Sequence, residues 1–306
     1  EGLCVRGYPN VSMNRPTLLL TGCHGQMGTV FSQQWEGPML SGRYELVEVG
    51  RRELDIADPL EVQKYLADLR PAYILNTAAY TRVDEAESDQ ESAYRVNEKA
   101  VGLLADWCQG NSCRLLHIST DFVFDGKNDK PYKFDHIHNP INIYGKSKSL
   151  GEEQCLLIGN CYVLRTSWVY SPFNKNFLLK ILNLQKKFAK DNLPLKVISD
   201  QIGSPTNTFG LAQICWLLLN KISFGTINQK IFHWSDKGQI SWFEFANKIS
   251  LIGQELGLLE KKVDILKINA SDFKADTLRP YYSVLNCEVT ENLLNIKQKN
   301  WDVELR

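Results

Sequence analysis

The chain has 306 residues, with 35 Lys and Arg against 35 Asp and Glu, 43% hydrophobic residues and 23% charged residues. This balance is typical of a globular protein of about two domains, at roughly 150 residues each, and it excludes a disordered or fibrous chain. A net charge of zero disfavours nucleic-acid binding, which usually requires a basic surface. No run of about 18 apolar residues is present, so we predict a cytoplasmic protein without membrane attachment.

Eight cysteines are scattered through the sequence without a Cys-x-x-Cys pair, mostly within apolar runs. We therefore predict buried free thiols. Disulfides are the weaker alternative, and a zinc site is disfavoured because no ligand pair has zinc-finger spacing. Residues 1–12 show no periodicity and lack the regions of a signal peptide, so we treat them as an extension outside the fold.

From Thr17 onward, short β-type runs alternate with amphipathic helical stretches, which predicts parallel strands joined by crossover helices. The second helix has the clearest boundaries, because Asp58 is a typical N-cap, Pro59 suits the first helical position and Pro71 ends the helix. Continuous apolar runs such as 18–20 suit a sheet covered on both faces, which indicates a Rossmann-like, doubly wound α/β fold. The predicted strands are 17–21, 44–49, 73–77, 114–119, 162–166 and 196–199.

Beyond about residue 170 the alternation becomes less regular. Helical stretches at 176–190, 208–220 and 241–256 are separated by loops rich in Gly, Pro, Asn and Asp. We therefore predict a Rossmann domain over residues 13–169 and a smaller, mainly substrate-binding domain over 170–306. The strand near 195–200 is expected to return to the sheet of the first domain.

The first strand runs into a turn with the spacing Gly-x-x-Gly-x-x-Gly, formed by Gly22, Gly25 and Gly28, which opens a helix. Glycines allow a tight turn and a close approach of the backbone to a pyrophosphate, whose charge is met by the free amides and the positive dipole end of the helix. The position of the turn, between the first strand and the first helix, favours a dinucleotide site over a plain tight turn. His24, within the turn, is interpreted as a solvated loop residue without a role.

The second strand is followed by Arg51 and Arg52, where a dinucleotide-binding fold meets the adenosine ribose. An acidic residue at this place would bind the 2′-hydroxyl, whereas guanidinium groups suit a 2′-phosphate. The pair therefore favours NADPH, with NADH and a merely solvated arginine pair as the alternatives. Asp55 and Ile56 follow and are candidates to contact the adenine edge.

Tyr144 and Lys148 are four residues apart at the start of a helical stretch, so both side chains share one helix face. A free tyrosine titrates at about 10, too high for ready proton exchange at neutral pH, and a neighbouring cation favours the phenolate. We therefore expect Lys148 to make Tyr144 a workable acid, although the same spacing occurs in many helices that have no catalytic function.

The surrounding sequence favours the catalytic interpretation. Ser119-Thr120-Asp121 closes the fourth predicted strand at the carboxyl edge of the sheet, where ligands bind in such folds. A hydroxyl there can polarise the same substrate oxygen as the tyrosine, which indicates a reductase. Asn97, on the helix between the third and fourth strands, is a candidate to hold a water or a backbone carbonyl near Lys148. A purely structural asparagine is the alternative.

Further motifs extend along most of the chain. They are Asn76 to Asp84, Ser119 to Gly126, Arg165 to Trp168, Asp200 to Thr206 and Leu278 to Pro280. Together with the glycine turn and the Tyr144/Lys148 pair, they resemble the extended short-chain dehydrogenase/reductases, and within these the dTDP-4-dehydrorhamnose reductase family. The resemblance runs from about Met13 almost to the C-terminus, and the motifs in combination are far more specific than any one of them.

The resemblance implies an NADP-binding first domain and NADPH-dependent reduction of the C4 ketone of a nucleotide-sugar substrate, dTDP-4-dehydro-β-L-rhamnose, to dTDP-L-rhamnose. The catalytic residues that it implies are Thr120, Tyr144 and Lys148. The implied cofactor-binding residues are Gly22, Gly25, Gln26, Met27, Gly28, Arg51, Asp55, Ile56, Ala78, Ala79, Tyr80 and Lys148. The implied substrate-binding residues are Thr81, Val83, Thr120, Asp121, Trp168 and Arg279.

Two of the implied substrate contacts have a physical rationale. An indole face such as that of Trp168 can cover the apolar face of a deoxysugar, although a core tryptophan is the alternative. Arg279 is a candidate for the anionic diphosphate, because a guanidinium group can donate two parallel hydrogen bonds to phosphate oxygens.

The chain departs from this family at two positions. Phe122 stands where the family often has a tyrosine, so any hydrogen bond from that phenol is absent. Val30 stands where some members bring a glutamate to a magnesium ion at a dimer interface, and valine cannot bind magnesium, which needs oxygen ligands. We therefore predict no metal site, and either a monomer or a weak homodimer.

Two other functions are compatible with the sequence. One is a non-catalytic regulatory subunit similar to the methionine adenosyltransferase beta subunit, but a purely regulatory fold has no chemical need of the intact Thr120, Tyr144 and Lys148. The other is a nucleotide-sugar epimerase or dehydratase, since these enzymes share the glycine turn and the Tyr/Lys pair. Such an enzyme would recycle its nicotinamide, so a net loss of NADPH distinguishes a reductase from it.

Overall fold

The computed structural model describes residues 15–35, 43–225, 227–273 and 277–306. Residues 1–12, including Cys4, lie outside the described residues. The strands are β1 (Thr17–Thr21), β2 (Glu45–Val49), β3 (Tyr73–Asn76), β4 (Arg114–Thr120), β5 (Cys161–Thr166), β6 (Val169–Tyr170), β7 (Leu195–Ile198), β8 (Ile202–Gly203), β9 (Thr206–Asn207), β10 (Ile231–His233), β11 (Ile240–Ser241) and β12 (Ile265–Ile268).

The α-helices are α1 (Gln26–Trp35), α2 (Pro59–Leu69), α3 (Gln90–Tyr94), α4 (Ala100–Gly110), α5 (Ile143–Leu156), α6 (Phe177–Asp191), α7 (Thr208–Ser223), α8 (Trp242–Glu255), α9 (Glu288–Leu294) and α10 (Trp301–Glu304). Short 3₁₀ turns cover Glu85–Glu87, Asp121–Val123 and Ala270–Asp272, and a π-helical turn covers Arg95–Lys99. In the part of the chain that the structure describes, no helix is both long enough and apolar enough to cross a membrane.

A six-stranded sheet with the order β2-β1-β3-β4-β5-β10 forms the centre of the molecule, and all its strands are parallel. Side chains of β1 alternate between its two faces. Leu18 and Leu20 pack with α1 and α7 on one face, and Leu19 packs with α2 and α4 on the other. Both faces are therefore covered by helices, which confirms the predicted doubly wound α/β fold.

The sixth strand of the sheet is β10, so the prediction that the strand near 195–200 returns to the sheet is wrong. β7 pairs instead with β12 in a separate two-stranded parallel sheet. The physical reason is visible in its side chains. Leu195 and Val197 are buried and Lys196 is exposed, which suits a sheet covered on one face. In β10, by contrast, Phe232 and His233 are adjacent and both buried.

The predicted helix signals agree with the structure in α2. The Asp58 side chain accepts hydrogen bonds from the backbone amides of Leu60 and Glu61, and Pro59 occupies the first helical position. The helix ends at Arg70, whose φ of 48° lies in the left-handed region. This helix packs on the face of the sheet that includes Leu19 of β1, the strand that leads into the glycine turn.

The helices on the opposite face are held together by tryptophan packing. The ring of Trp216 on α7 stacks on Phe31 of α1 at 4.0 Å between centroids and contacts Trp35 at 5.4 Å. Val30 lies in the same cluster with no exposed surface. Val30, which stands where some family members have a magnesium-binding glutamate, is thus part of the core.

The seven described cysteines are free thiols, which confirms the sequence interpretation for them. Six are buried, and Cys23, in the glycine turn, is partly exposed. Burial raises the pKa of the Cys23 thiol to about 11, so this thiol stays protonated at neutral pH.

Two glycines allow α5 to pack against neighbouring backbone. A Cβ atom on Gly145 would overlap the carbonyl oxygen of Phe122, and one on Gly151 would overlap the carbonyl oxygen of Asn97. The close approach places the face of α5 that carries Tyr144 and Lys148 directly against the end of β4.

We expect Gly151→Ala to destabilise the protein. Alanine ordinarily stabilises a helix interior by about 0.8–1.0 kcal/mol relative to glycine. Here the added methyl group meets the Asn97 carbonyl, and overpacking of this kind costs about 1–3 kcal/mol of unfolding free energy. The matched control is Gly102→Ala on α4, whose new methyl group would meet only the Gln154 side chain at 3.4 Å or more. Urea unfolding measures both, and equal stabilisation by the two changes would contradict the packing described.

Candidate active site

A cavity of about 910 Å³ lies at the carboxyl edge of the central sheet. Its walls are the segments that follow β1, β2, β3, β4 and β5, together with residues of the loop before α6 and the first residue of α8. Ligands of doubly wound folds bind at this edge, near the point where the strand order reverses. In this sheet β2 and β3 lie on opposite sides of β1, so the reversal occurs at the glycine turn.

The glycine turn forms one end of the cavity. Gly22 has a φ of 72°, and a Cβ atom on it would lie 2.6 Å from the amide nitrogen of Ala78. Gly22, Gly25, Gln26 and Met27 line the cavity as expected. Gly28 packs against the carbonyl oxygen of Gly22, where a side chain would overlap it. The role of Gly28 is therefore to let α1 approach the turn.

The segment after β2 forms the wall where the sequence places the adenosine. Arg51, Asp55 and Ile56 line the cavity. The guanidinium of Arg51 is largely exposed and lies 3.9 Å from a carboxylate oxygen of Asp55. Arg95, which the sequence analysis missed, lies 3.4 Å from the same oxygen. Arg52 is exposed.

Asn97 fixes the backbone of the segment after β3. Its side-chain oxygen accepts from the Tyr80 amide at 2.8 Å, and its side-chain nitrogen donates to the Tyr80 carbonyl at 3.0 Å and to the Ser147 hydroxyl at 3.0 Å. The backbone carbonyl that Asn97 holds is thus that of Tyr80. Its contact with α5 is to Ser147 and not to Lys148 itself. Ala78, Ala79 and Tyr80 line the cavity on this segment.

Tyr144 is half-buried at the floor of the cavity, with the ring of Phe122 edge-on at 5.5 Å between centroids. Burial raises the pKa of the Tyr144 hydroxyl to about 12, and the Asp121 carboxylate adds to the rise. The Thr120 hydroxyl opposes it. In the free site desolvation exceeds the favourable contacts, so Tyr144 keeps its proton. The expected influence of Lys148 on Tyr144 stays a prediction.

Lys148 is 2% exposed and approaches the end of β4. Its Nζ lies 2.7 Å from the Ile118 carbonyl oxygen and 3.0 Å from Nε2 of His117. Burial lowers the pKa of the Lys148 ammonium to about 8, and the carboxylate of Glu152 opposes the decrease. Sequence reasoning missed His117, because a single histidine in an apolar strand carries no motif.

Several residues that line the cavity between these groups carry buried polar atoms. The Thr120 hydroxyl donates to one carboxylate oxygen of Asp121 at 3.0 Å. The hydroxyls of Ser119 and Thr166 are buried with no hydrogen-bond partner among the described residues. Burial raises the pKa of Asp121 to about 6. Unpaired buried polar groups are costly, so their presence in a cavity wall fits a polar ligand.

Two stacked indoles form the opposite end of the cavity. Trp168 and Trp242 lie parallel, with centroids 3.4 Å apart, and both line the cavity. Trp168 has a φ of 45°, which is unusual for a residue with a side chain, and Gly203 leaves the space that its indole occupies. Trp242 was missed because its position at the start of a helix gave no sequence signal.

The cations at this end differ from those expected. Arg279 forms two 2.8 Å contacts with the carboxylate of Asp84, so its guanidinium is already paired. Arg82 also lines the cavity, next to the predicted Thr81 and Val83, and it is paired with Glu85 at 2.6 Å. Lys175 lines the cavity in the loop before α6, where its neighbours Asn174 and Asn176 contact the glycine turn. No group of three or more His, Cys, Asp or Glu in the described ranges is arranged to hold a metal ion.

A parallel sheet with a glycine turn after β1, and a half-buried tyrosine and a buried lysine one helical turn apart beside β4, define an oxidoreductase with the NADP-binding Rossmann fold of the extended short-chain dehydrogenase/reductases. The family model described as the RmlD substrate binding domain matches residues 16–306. The chain therefore belongs to the RmlD family.

Individual relatives agree with this assignment. The chain is 34% identical over 291 residues to the dTDP-4-dehydrorhamnose reductase of Aggregatibacter actinomycetemcomitans, covering 94% of this chain and 97% of that protein. It is 35% identical over 294 residues to the spore coat polysaccharide biosynthesis protein SpsK of Bacillus subtilis, with 94% and 95% covered. The crystal structure of dTDP-4-dehydrorhamnose reductase from Bacillus anthracis in complex with NADP has a TM-score of 0.82 at 31% identity, covering 95% of this chain and 97% of that chain.

Proposed function

We propose that this protein reduces the C4 ketone of dTDP-4-dehydro-β-L-rhamnose with NADPH and releases dTDP-L-rhamnose. The observation that carries the proposal is the group formed by Thr120, Tyr144 and Lys148 at the floor of the cavity. Support comes from relatives whose names state this activity, at 34% and 31% identity over nearly the whole chain.

The cavity walls fit a dinucleotide cofactor. The glycine turn leaves the backbone accessible where a Cβ atom would block it, and the N-terminus of α1 presents free amides to a pyrophosphate. Arg51 at the adenosine end suits a 2′-phosphate, since its guanidinium is largely exposed. Lys148 and Tyr144 would hold the nicotinamide end beside the substrate carbonyl.

Bound NADPH supplies the hydride that reduces C4. Tyr144 donates its hydroxyl proton to the oxygen that develops negative charge at C4, and its raised pKa keeps that proton in place before the reaction. The hydroxyl of Thr120 donates a hydrogen bond to the same oxygen once it exchanges its contact with Asp121 for the substrate. Lys148 in its ammonium form stabilises the phenolate left on Tyr144.

The other end of the cavity suits a deoxysugar nucleotide. The exposed parts of the Trp168 and Trp242 indoles offer apolar surface to the C6 methyl group of the sugar. Arg82 lines the cavity beside Thr81 and Val83 and can meet the diphosphate if it leaves Glu85. Arg279 remains a predicted diphosphate ligand, and such a contact requires it to leave Asp84.

The direct test is NADPH oxidation with dTDP-4-dehydro-β-L-rhamnose, followed by NMR identification of the sugar product. We expect one NADPH oxidised per dTDP-L-rhamnose formed. A product with the other configuration at C4, or turnover only with a different 4-keto sugar nucleotide, would show that the substrate is wrong although the protein is a reductase. Conversion without net NADPH loss would indicate an epimerase or dehydratase. No turnover, together with tight binding to methionine adenosyltransferase, would indicate a regulatory subunit.

We expect Tyr144→Phe to lower kcat by about 10²- to 10⁴-fold, because the ring and its packing remain while the acid proton is lost. NADPH affinity should change little. The matched control is Tyr65→Phe, which removes a hydroxyl from α2 at a residue that does not line the cavity and should leave kcat unchanged. Steady-state kinetics and fluorescence titration with NADPH measure both quantities. Near-normal turnover of Tyr144→Phe would remove Tyr144 from the mechanism.

We expect Arg51→Ala to reduce the preference for NADPH over NADH. A hydrogen bond to a charged group contributes about 1.5–3 kcal/mol, or roughly 10- to 150-fold in affinity. The sequence alone does not distinguish the two neighbouring arginines. In the structure Arg51 lines the cavity and Arg52 does not. Arg52→Ala is therefore the control and should leave the preference unchanged. The ratio of kcat/KM for the two cofactors measures this, and an equal effect of both changes would contradict the position assigned to Arg51.

A further inference from the structure

A chain of buried hydrogen bonds runs behind Lys148 through the central sheet. The Thr21 hydroxyl at the end of β1 donates to Oδ1 of Asn76 at 2.7 Å. Nδ2 of Asn76 at the end of β3 lies 3.0 Å from Nδ1 of His117 on β4. Nε2 of His117 lies 3.0 Å from Nζ of Lys148 on α5. Thr21, Asn76 and His117 have no exposed surface.

The contacts of Asn76 determine which nitrogen of His117 carries the proton. The backbone amide of Ala78 points at Oδ1 of Asn76 from 3.2 Å, and an amide can only donate, so this atom is the oxygen. The other atom is then the NH₂ group, and it donates to Nδ1 of His117. In a neutral imidazole with Nδ1 as the acceptor, the proton lies on Nε2. The N–H of His117 therefore points at Lys148.

The lysine can satisfy this contact only as a neutral amine. An ammonium group has three donors and no acceptor, so Nζ–H and Nε2–H would oppose each other at 3.0 Å. A neutral amine accepts from Nε2–H with its lone pair and still donates to the Ile118 carbonyl. Burial keeps the pKa of His117 well below its usual value, so the imidazole is neutral.

We propose that His117, held in one tautomer by Asn76 and Thr21, is a positioning residue that disfavours the ammonium form of Lys148 in the free protein, so that Lys148 takes up a proton when the cofactor binds. The inference deepens the proposed function, on which it rests for the identity of the cofactor. An anionic dinucleotide in the cavity favours the ammonium form, and the two binding events are then thermodynamically linked.

Other groups that face Lys148 act in both directions. On its own helix, Glu152 favours the ammonium form, but Arg165 on β5 neutralises Glu152 through contacts of 2.7–3.0 Å. Cys155 on α5 is buried with a raised pKa and stays a neutral thiol. Tyr144 on the same face keeps its proton. Burial lowers the pKa of Lys148 to about 8. The N–H of His117 opposes the ammonium form in addition, through its 3.0 Å contact with Nζ.

The chain behind Lys148 holds the lysine and does not conduct protons to solvent. Its last member, Thr21, is fully buried and donates to Asn76. A proton that entered from Lys148 would have no exit through these residues. The proton that Lys148 takes up must therefore come through the cavity, before or together with the cofactor.

The first measurement is NMR of lysines labelled at the ε position in the free protein, with the Lys148 signal assigned from its loss in Lys148→Met. We expect the Lys148 signal to titrate near pH 8. In His117→Gln the side-chain oxygen can turn to accept from an ammonium, so the midpoint should rise by roughly one to two pH units. The control His233→Gln changes a buried histidine that contacts Arg165, and its Lys148 midpoint should match that of the unmodified protein.

The second measurement is calorimetry of NADPH binding in buffers of different ionisation enthalpy. At pH 8.5, where a group with a pKa of about 8 is roughly three-quarters neutral, the unmodified protein should take up about 0.7 proton per NADPH, and uptake should fall towards zero at pH 6.5, where Lys148 is already an ammonium. His117→Gln should show little uptake at either pH. Asn76→Asp is a second route if His117→Gln fails to fold, since a carboxylate accepts from Nδ1 and moves the imidazole proton away from Lys148.

The inference is overturned if Lys148 titrates above pH 10 in the unmodified protein, or at the same pH in the unmodified, His117→Gln and Asn76→Asp proteins. Absence of proton uptake at pH 8.5 would also overturn it. Both measurements use the free protein or NADPH alone and need no sugar substrate. A failed turnover assay with a normal Lys148 titration would therefore count against the proposed function and leave the positioning role of His117 intact.

Discussion

Lys148 is 2% exposed and lies at the carboxyl edge of a parallel sheet. Burial of an ammonium group carries a large desolvation free energy. The neighbouring elements are arranged around this group. β4 supplies the Ile118 carbonyl and His117, and two glycines of α5 let the helix lie directly against backbone. The same burial raises the pKa of Tyr144 to about 12, which keeps it protonated, as a reductase requires.

The parts of the fold that depend on local chemistry could be predicted from the sequence. The glycine turn could be predicted because its tight backbone requires glycine at fixed positions. Gly22, for example, leaves no room for a Cβ atom beside the backbone of Ala78. The start of α2 was found because Asp58 and Pro59 have strong positional preferences. The Tyr144/Lys148 pair was found because a spacing of four places both side chains on one helix face. In each case a short segment determines its own geometry.

Features that depend on distant segments could not be predicted. β10 is only three residues long, and its place in the central sheet depends on its pairing with β5. The longer β7 pairs with β12 in a separate sheet. Arg279 has the chemistry of a phosphate ligand, but it meets Asp84, a residue 195 positions away. His117 and Trp242 act through contacts with other elements, and neither position carries a recognisable motif.

The proposed reduction consists of one chemical event, the delivery of hydride to the sugar carbon whose oxygen receives the Tyr144 proton. The most direct measurement is the fate of deuterium from NADPH labelled at the transferring C4 position of the nicotinamide, with dTDP-4-dehydro-β-L-rhamnose as substrate. We predict one deuterium at C4 of the dTDP-L-rhamnose formed for each NADPH oxidised. Sugar conversion with the deuterium retained on the nicotinamide, or with the C4 hydrogen derived from water, would contradict the account.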